Sequence, residues 1–385
     1  MRRFIVLSFV FLQWFALSAQ TSLNSGRITA EHYYEEIPFV YENRFIIIEV
    51  LYRGNTERFL FDTGAANVLF GESSASPSGT SIKLLDSNNN QAKAGMITGQ
   101  QFRIGSLDFD GLTFIHYPEE NILTKCFGVK GIIGPNSFAR SALQIDFGRQ
   151  RIVVTNDRSK LDFSRHTLFP MNSKSRQLLP FVNFNHKGSG SVGVNYLLDS
   201  GFSGAVYLAE ADRKKLQKKD AIAETETGRG TVAYSLFGKN DDQNLMRVRL
   251  KNPMTFAGLS RHDDYVFISK DNDSKIGNEI MEKLNPIFDF DRKEVHLLAT
   301  PQQMHAEKRN IATVADGKKL KIASLWGPLL KTASVGDEVV ALDQMAVQPM
   351  DLCTSLKKRD GLFAGVKVIR AVSQKTGKTY DLPAR

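Results

Sequence analysis

Hydrophobic and polar positions along the chain fall into one dominant pattern, and the chain states it twice. Residues 43–52 are rich in β-branched and aromatic side chains, a turn follows at Gly54-Asn55, and the apolar run Phe59-Leu60-Phe61 ends in Asp62-Thr63-Gly64-Ala65. Residues 179–185 begin the second statement. A glycine-rich turn spans 187–190, and the apolar run Tyr196-Leu197-Leu198 ends in Asp199-Ser200-Gly201. Apolar, β-branched runs on either side of a glycine turn predict β-hairpins. Downstream, each copy carries an apolar stretch closed by glycine, Gly131-Ile132-Ile133-Gly134 and Lys275-Ile276-Gly277, then a short helical stretch and a closing hairpin at 143–155 or 287–298. The spacing is held: 72 residues from Asp62 to Gly134, and 78 from Asp199 to Gly277. The pattern predicts a tandem duplication of a mostly-β unit.

A third region follows. Residues 319–326 read as a strand, and Gly336-Asp337 leads into the short apolar strand Val339-Val340-Ala341-Leu342. A helix is expected near 350–356, and a final hairpin pairs 365–370 with 378–382.

Composition narrows the class. At 385 residues, 42% hydrophobic and 24% charged, the chain is globular in character and long enough for two or three domains. The formal net charge of +9 is unevenly placed: residues 303–385 hold 14 Lys/Arg against 8 Asp/Glu. The first three hundred residues are therefore nearly neutral, which argues against a basic nucleic-acid groove there. Cys126 and Cys353 stand 227 positions apart, so a disulfide-stapled small scaffold and a CxxC-type zinc or redox site are both excluded.

The first 19 residues have the order of an export signal: Arg2-Arg3, an apolar run from Phe4 to Leu12, an interruption at Gln13, and small residues Ser18-Ala19. The run is shorter than the roughly 20 residues that span a bilayer. The expectation is cleavage near residues 18–20, a mature chain without a transmembrane segment, and a periplasmic or secreted destination. No cysteine lies near the cut to accept a lipid.

An Asp-Thr/Ser-Gly triplet should occur by accident roughly 0.2 times in a chain of this length. Two of them, each after an apolar run and each in step with a downstream glycine, ask for a chemical reason. A carboxylate at the end of a buried strand, on a turn opened by glycine, is rigidly held. If the two copies face each other, Asp62 and Asp199 meet, and two touching carboxylates share one proton because both cannot ionise. Such a pair suits amide hydrolysis: one member takes a proton from water while the other donates to the carbonyl oxygen.

These motifs resemble the aspartic peptidases of the pepsin and retroviral-protease superfamily. The layout is most similar to bacterial retropepsin-like aspartyl protease family proteins that carry a PDZ domain. The resemblance implies a mostly-β fold of two tandem retropepsin-like β-barrel lobes, at 38–160 and 175–300, with a small α+β PDZ-like domain at 305–385. It implies Asp62 and Asp199 as the catalytic pair, Thr63, Gly64, Ser200 and Gly201 as their support, and Gly134 and Gly277 as the glycines of the two following loops. It further implies no cofactor and no metal, a peptide or protein substrate between the lobes, and a peptide C-terminus beside the PDZ-like helix. A non-catalytic peptide-binding protein of degenerate protease fold is the rival reading.

Two positions depart from the family pattern: Phe202 follows the second triplet, and Lys275 stands where the first copy has an apolar residue. The segment Gly95–Gly99 is expected as the flap, with Tyr234 in an equivalent place in the second lobe. Neither Ala65 nor Phe202 has a side chain that donates a hydrogen bond to the dyad, so the pair is expected to titrate higher than in an acid-adapted enzyme. Gly188–Gly193 matches a dinucleotide fingerprint, but the residues after it read as a strand, so a hairpin loop is expected. The histidines form no metal-ligand spacing, His116 and His296 are expected in strands, and Asp146 and Asp289 are expected to be structural.

Overall fold

The computed structural model describes residues 23–384 apart from 72–77, 87–89, 173–177, 232–233, 237, 240–242, 263–264, 300–302, 306–307, 359–361 and 364. The expected export signal therefore lies outside the described residues. Strands dominate the fold and gather chiefly into two large sheets.

The first copy opens with β1 (Tyr34–Glu42), β2 (Phe45–Tyr52) and β3 (Asn55–Phe61). The β2–β3 hairpin closes with Tyr52 opposite Asn55, and both turn residues, Arg53 and Gly54, have positive φ. That is the turn whose twist matches the strands it joins. There follow β4 (Val68–Phe70), β5 (Ser78–Leu85), β6 (Gln91–Ile104), β7 (Leu107–Tyr117), α1 (Ile122–Phe127), β8 (Gly131–Ile133), and the closing hairpin β9 (Ala142–Asp146) and β10 (Arg151–Thr155). Helix α1 is set by a reciprocal cap between Asn121 and Thr124 and is stopped by Gly128 in the left-handed region.

The second copy repeats the plan after β11 (Thr167–Pro170): the hairpin β12 (Phe181–Lys187) and β13 (Ser191–Leu198), then β14 (Val206–Ala209), α2 (Glu210–Lys218), β15 (Ile222–Gly230), the short pair β16 (Tyr234–Ser235) and β17 (Gly238–Lys239), β18 (Gln243–Leu250), β19 (Tyr265–Ser269), β20 (Ser274–Ile276), α3 (Asn278–Met281), and the closing hairpin β21 (Ile287–Asp289) and β22 (Glu294–Leu297). The glycine-rich turn before Ser191 leads straight into β13, where Gly193 pairs with Asn185, so the dinucleotide-like spacing belongs to a β-hairpin.

The two copies are joined through their closing hairpins. Strand β9 pairs with β21, Ala142 opposite Asp289 and Leu143 opposite Phe288. One apolar cluster runs without a break from Ile37 and Leu143 in the first copy to Phe288 and Leu297 in the second. Arg158 secures this seam by pairing with buried Asp289 and with Glu294, 2.9 Å away. Asp289 is thus structural, as is Asp146, which accepts from the Arg149 N–H. His116 and His296 are both buried in strands of the two copies.

The C-terminal residues add β23 (Ile311–Asp316), β24 (Lys319–Trp326), β25 (Glu338–Leu342), α4 (Leu352–Lys357), β26 (Val368–Val372) and β27 (Thr379–Pro383) around their own small core of Leu320, Ile322, Val339 and Ile369. This region is not strung on a loose linker. Its strand β24 pairs with β15, Gly228 opposite Trp326, so the second large sheet continues into it. Buried Arg247 fixes the junction: its guanidinium lies against the Trp326 ring, 4.6 Å from the centroid, and donates to Glu226 and to the Arg309 carbonyl. Among the described residues no helix is long and apolar enough to cross a membrane.

Candidate active site

Each triplet is placed by the same local construction. Strand β3 runs parallel to β8, Leu60 opposite Ile132, and the Asp62 N–H donates to the Ile133 carbonyl at 3.0 Å. Strand β13 runs parallel to β20, Leu197 opposite Lys275, and the Asp199 N–H donates to the Ile276 carbonyl at 2.9 Å. Both aspartates therefore emerge from apolar strands at matched heights.

The turns then interlock. The Thr63 N–H donates to Ser200 Oγ and the Ser200 N–H donates to Thr63 Oγ1, each at 2.9 Å. The same hydroxyls donate onward across the seam, Thr63 Oγ1 to the Leu198 carbonyl at 2.6 Å and Ser200 Oγ to the Phe61 carbonyl at 2.9 Å. All four bonds are buried, where a lost partner is costly. The glycines permit the approach. Gly64 and Gly201 N–H groups donate to their own Asp62 and Asp199 carboxylates at 2.8 and 3.0 Å. A β-carbon on Gly64 would strike the Asp199 carboxylate, and one on Gly201 would strike that of Asp62. Each carboxylate lies against the turn of the other copy, and the Asp199 charge acts on Asp62. Residues 137 positions apart are thus neighbours.

The downstream glycines serve as backing. The Gly134 N–H donates to the buried side chain of Asn67, and a β-carbon there would meet the Ala65 carbonyl. The Gly277 N–H donates to the Ala205 carbonyl, and a β-carbon there would meet the Phe202 backbone and ring. This explains how Phe202 fits: its ring lies 4.5 Å from that of Tyr207 in space left open by Gly204 and Gly277. Asn278, at the start of α3, braces the second turn by donating to the Ser200 carbonyl at 2.7 Å.

Electrostatically the pair is not symmetric. Burial, together with the charge of Asp199, pushes the Asp62 carboxyl up to about 8. Asp199 has a cation on it: Lys275 Nζ lies 3.1 Å from Asp199 Oδ2 and 2.9 Å from Asp271 Oδ2. Burial opposes the Lys275 charge, but the two carboxylates outweigh it and hold the ammonium above the ordinary lysine range. The matched position in the first copy is Ile132.

The pair opens into a cleft of about 400 Å³. Its first wall is apolar, with Phe45, Leu60, Val68, Ile122, Leu123 and Phe127, and its second carries Phe202, Tyr207, Ser269, Asp271 and Lys275. A third wall comes from the C-terminal region: Thr313 and Val314 of β23, Ala323 of β24, and Ser355 and Leu356 of α4. That wall is tied to the first by the disulfide Cys126–Cys353, which joins α1 to α4, and by Lys357 Nζ, 2.7 Å from Glu42. No group of three or more His, Cys, Asp or Glu that could hold a metal occurs among the described residues.

Sequence reasoning missed several of these features. The cysteines are bonded; an even count behind an export-like leader was the available signal. The flap expectation fails at Gly95–Gly99, which lies inside β6 with Met96 and Ile97 buried and paired to β7. The end of β5 and residue Asp86 reach the cleft instead, through Leu84 and Asp86. Asp86 accepts from Ser235 Oγ of the second copy at 2.6 Å, so the two copies touch above the cleft. Tyr234 sits in β16 opposite Lys239, and its side chain lies outside the described residues.

No family model matches the chain. No curated protein matches it either. Among solved structures it is similar to the crystal structure of an aspartic proteinase from Irpex lacteus, at 14% identity and a TM-score of 0.42, covering 70% of this chain and 98% of that one.

Proposed function

We propose that the chain is an aspartic-type endopeptidase with Asp62 and Asp199 as its catalytic pair. The observation that carries this reading is the reciprocal lock of Thr63 and Ser200, which holds two buried carboxyls against each other at the floor of a cleft. Two carboxyls so placed retain one proton between them near neutral pH.

The reaction follows from that state. A water oxygen bonds to the scissile carbonyl carbon while its proton passes to the ionised carboxylate. The protonated member gives its proton to the carbonyl oxygen, leaving a neutral tetrahedral diol and a pair that again holds one proton. Collapse breaks the C–N bond, one diol proton returns to the pair, and the pair protonates the departing nitrogen, yielding acid and amine. No covalent intermediate is required.

The substrate is a peptide or protein, drawn past the apolar wall of Phe45, Leu60, Ile122 and Phe127. Export to an oxidising compartment accords with the disulfide and with the leader-like first 19 residues. For residues 305–385 a PDZ-like ancestry accords with the order of strands and helix. A role as a wall of the cleft has more support than capture of a peptide C-terminus. Helix α4 packs directly on β23, whose Ala315 N–H is already donated to Ser355 Oγ.

The test is a peptide-library digest scored by mass spectrometry across pH 3–9 with wild type, Asp62→Asn and Asp199→Asn. The expected result is cleavage by wild type and at least a hundredfold loss in each variant. Equal cleavage by all three refutes the assignment, and binding of library peptides without cleavage makes the chain a binding protein.

A further inference from the structure

We propose that Lys275 is a positioning residue that divides the labour of the pair, fixing Asp199 as the ionised member and leaving the shared proton on Asp62. The inference rests on the peptidase reading and deepens it. In a symmetric duplication the two carboxyls have equal claims on the proton. Here the equivalence is broken at one position, where β8 supplies Ile132 and β20 supplies Lys275, each opposite the leucine two residues before its catalytic aspartate.

Both Asp199 oxygens now receive a donor that favours charge: Oδ1 the Gly201 N–H at 3.0 Å, and Oδ2 the Lys275 ammonium at 3.1 Å. Asp62 accepts the Gly64 N–H at 2.8 Å, and the Lys275 charge reaches it only as a lesser influence behind its burial and the Asp199 charge. Lys275 is not a solvated surface charge, since its side chain is only 12% exposed. Its second partner, Asp271, balances it at 2.9 Å, so Lys275 and Asp271 add no net charge to the pair. The other titratable groups facing it are Tyr207, opposite it on β14, and Asp273, which lines the same cleft. Neither is cationic. In this arrangement Asp199 takes the proton from water and Asp62 donates to the carbonyl oxygen.

The experiment uses the full chain with aspartate carboxyl carbons labelled with carbon-13, in wild type, Lys275→Met, Lys275→Arg and Asp271→Asn. Asp62→Asn and Asp199→Asn assign the two resonances. An opposite charge at this distance moves a carboxyl by about one to three pH units. Removing the lysine should therefore raise the Asp199 titration and the acid limb of the pH–rate profile by at least one unit. Lys275→Arg should restore both. Asp271→Asn frees the lysine charge for Asp199 and should move them the other way. A structural role would lower thermal stability in all three variants and leave the limbs in place, and that result overturns the inference. So does movement in the same direction for Lys275→Met and Asp271→Asn. If wild type cleaves nothing, the peptidase reading falls. The Asp199 titration then still decides whether Lys275 fixes its charge.

Discussion

The interlock between the two turns yields the sharpest prediction, through Thr63→Val. Valine keeps the shape of threonine, so no cavity is made, and the change isolates the hydroxyl. Thr63 is fully buried, and its oxygen both accepts the Ser200 N–H at 2.9 Å and donates to the Leu198 carbonyl at 2.6 Å. Valine leaves those two buried groups without partners, each at a cost of about 1–3 kcal/mol. The summed loss is about 2–6 kcal/mol. It falls on the second copy's turn, which carries Asp199. Thr63→Ser retains the hydroxyl and should recover most of it. Two readouts suit this. The midpoint of urea unfolding should drop for valine and not for serine. Amide exchange at Ser200 should speed up by at least tenfold, since about 1.4 kcal/mol is a factor of ten. Exchange at Ser200 unchanged in Thr63→Val, or serine no better than valine, would show that the lock does not hold the turns together.

Two further expectations follow from the same description. Removing the disulfide with Cys126→Ser and Cys353→Ser frees a loop of 227 residues, for which chain entropy gives about 5 kcal/mol as an upper figure. Limited proteolysis should then cut first within 311–384, and an unchanged melting temperature and digestion pattern would contradict the role given to the bond. The Asp62 carboxyl, raised in the folded state to about 8, binds its proton more tightly there than in the unfolded chain, where about 3.9 is usual. Its contribution to stability is therefore full below about pH 4 and is lost as pH rises toward 8. Asp62→Asn should match wild type in melting temperature at pH 4 and exceed it at pH 9; parallel curves would place the titration elsewhere.

The chain by itself determined the duplication, because a hairpin is a local object. The alternation of apolar residues and the glycine turn before Asp62 and before Asp199 are written within about twenty neighbouring positions. The closing hairpins are equally local, as is the strand β13 that follows the turn at 188–190. The pairing of Asp62 with Asp199 was inferred from matched spacing, a symmetry argument needing no contact information. Gly134 and Gly277 followed from the same match.

What the tertiary structure alone decided concerns partners far apart in sequence. Beyond their even count, nothing in the sequence around Cys126 and Cys353 pairs them. Their bond depends on the second sheet continuing through Gly228 and Trp326 and so carrying α4 across to α1. Gly95–Gly99 suggests a flap because its glycines are read locally, yet cross-strand pairing with β7 buries Met96 and Ile97 there. Lys275 read as a weakened copy of an apolar motif. Only the fold puts its ammonium beside Asp199 and Asp271, turning an apparent defect into a charge on one side of the pair. Local patterns specify hairpins because their hydrogen bonds join near neighbours. The charge state of a buried pair is set by whatever the packed chain brings within a few ångströms, wherever it lies in the sequence.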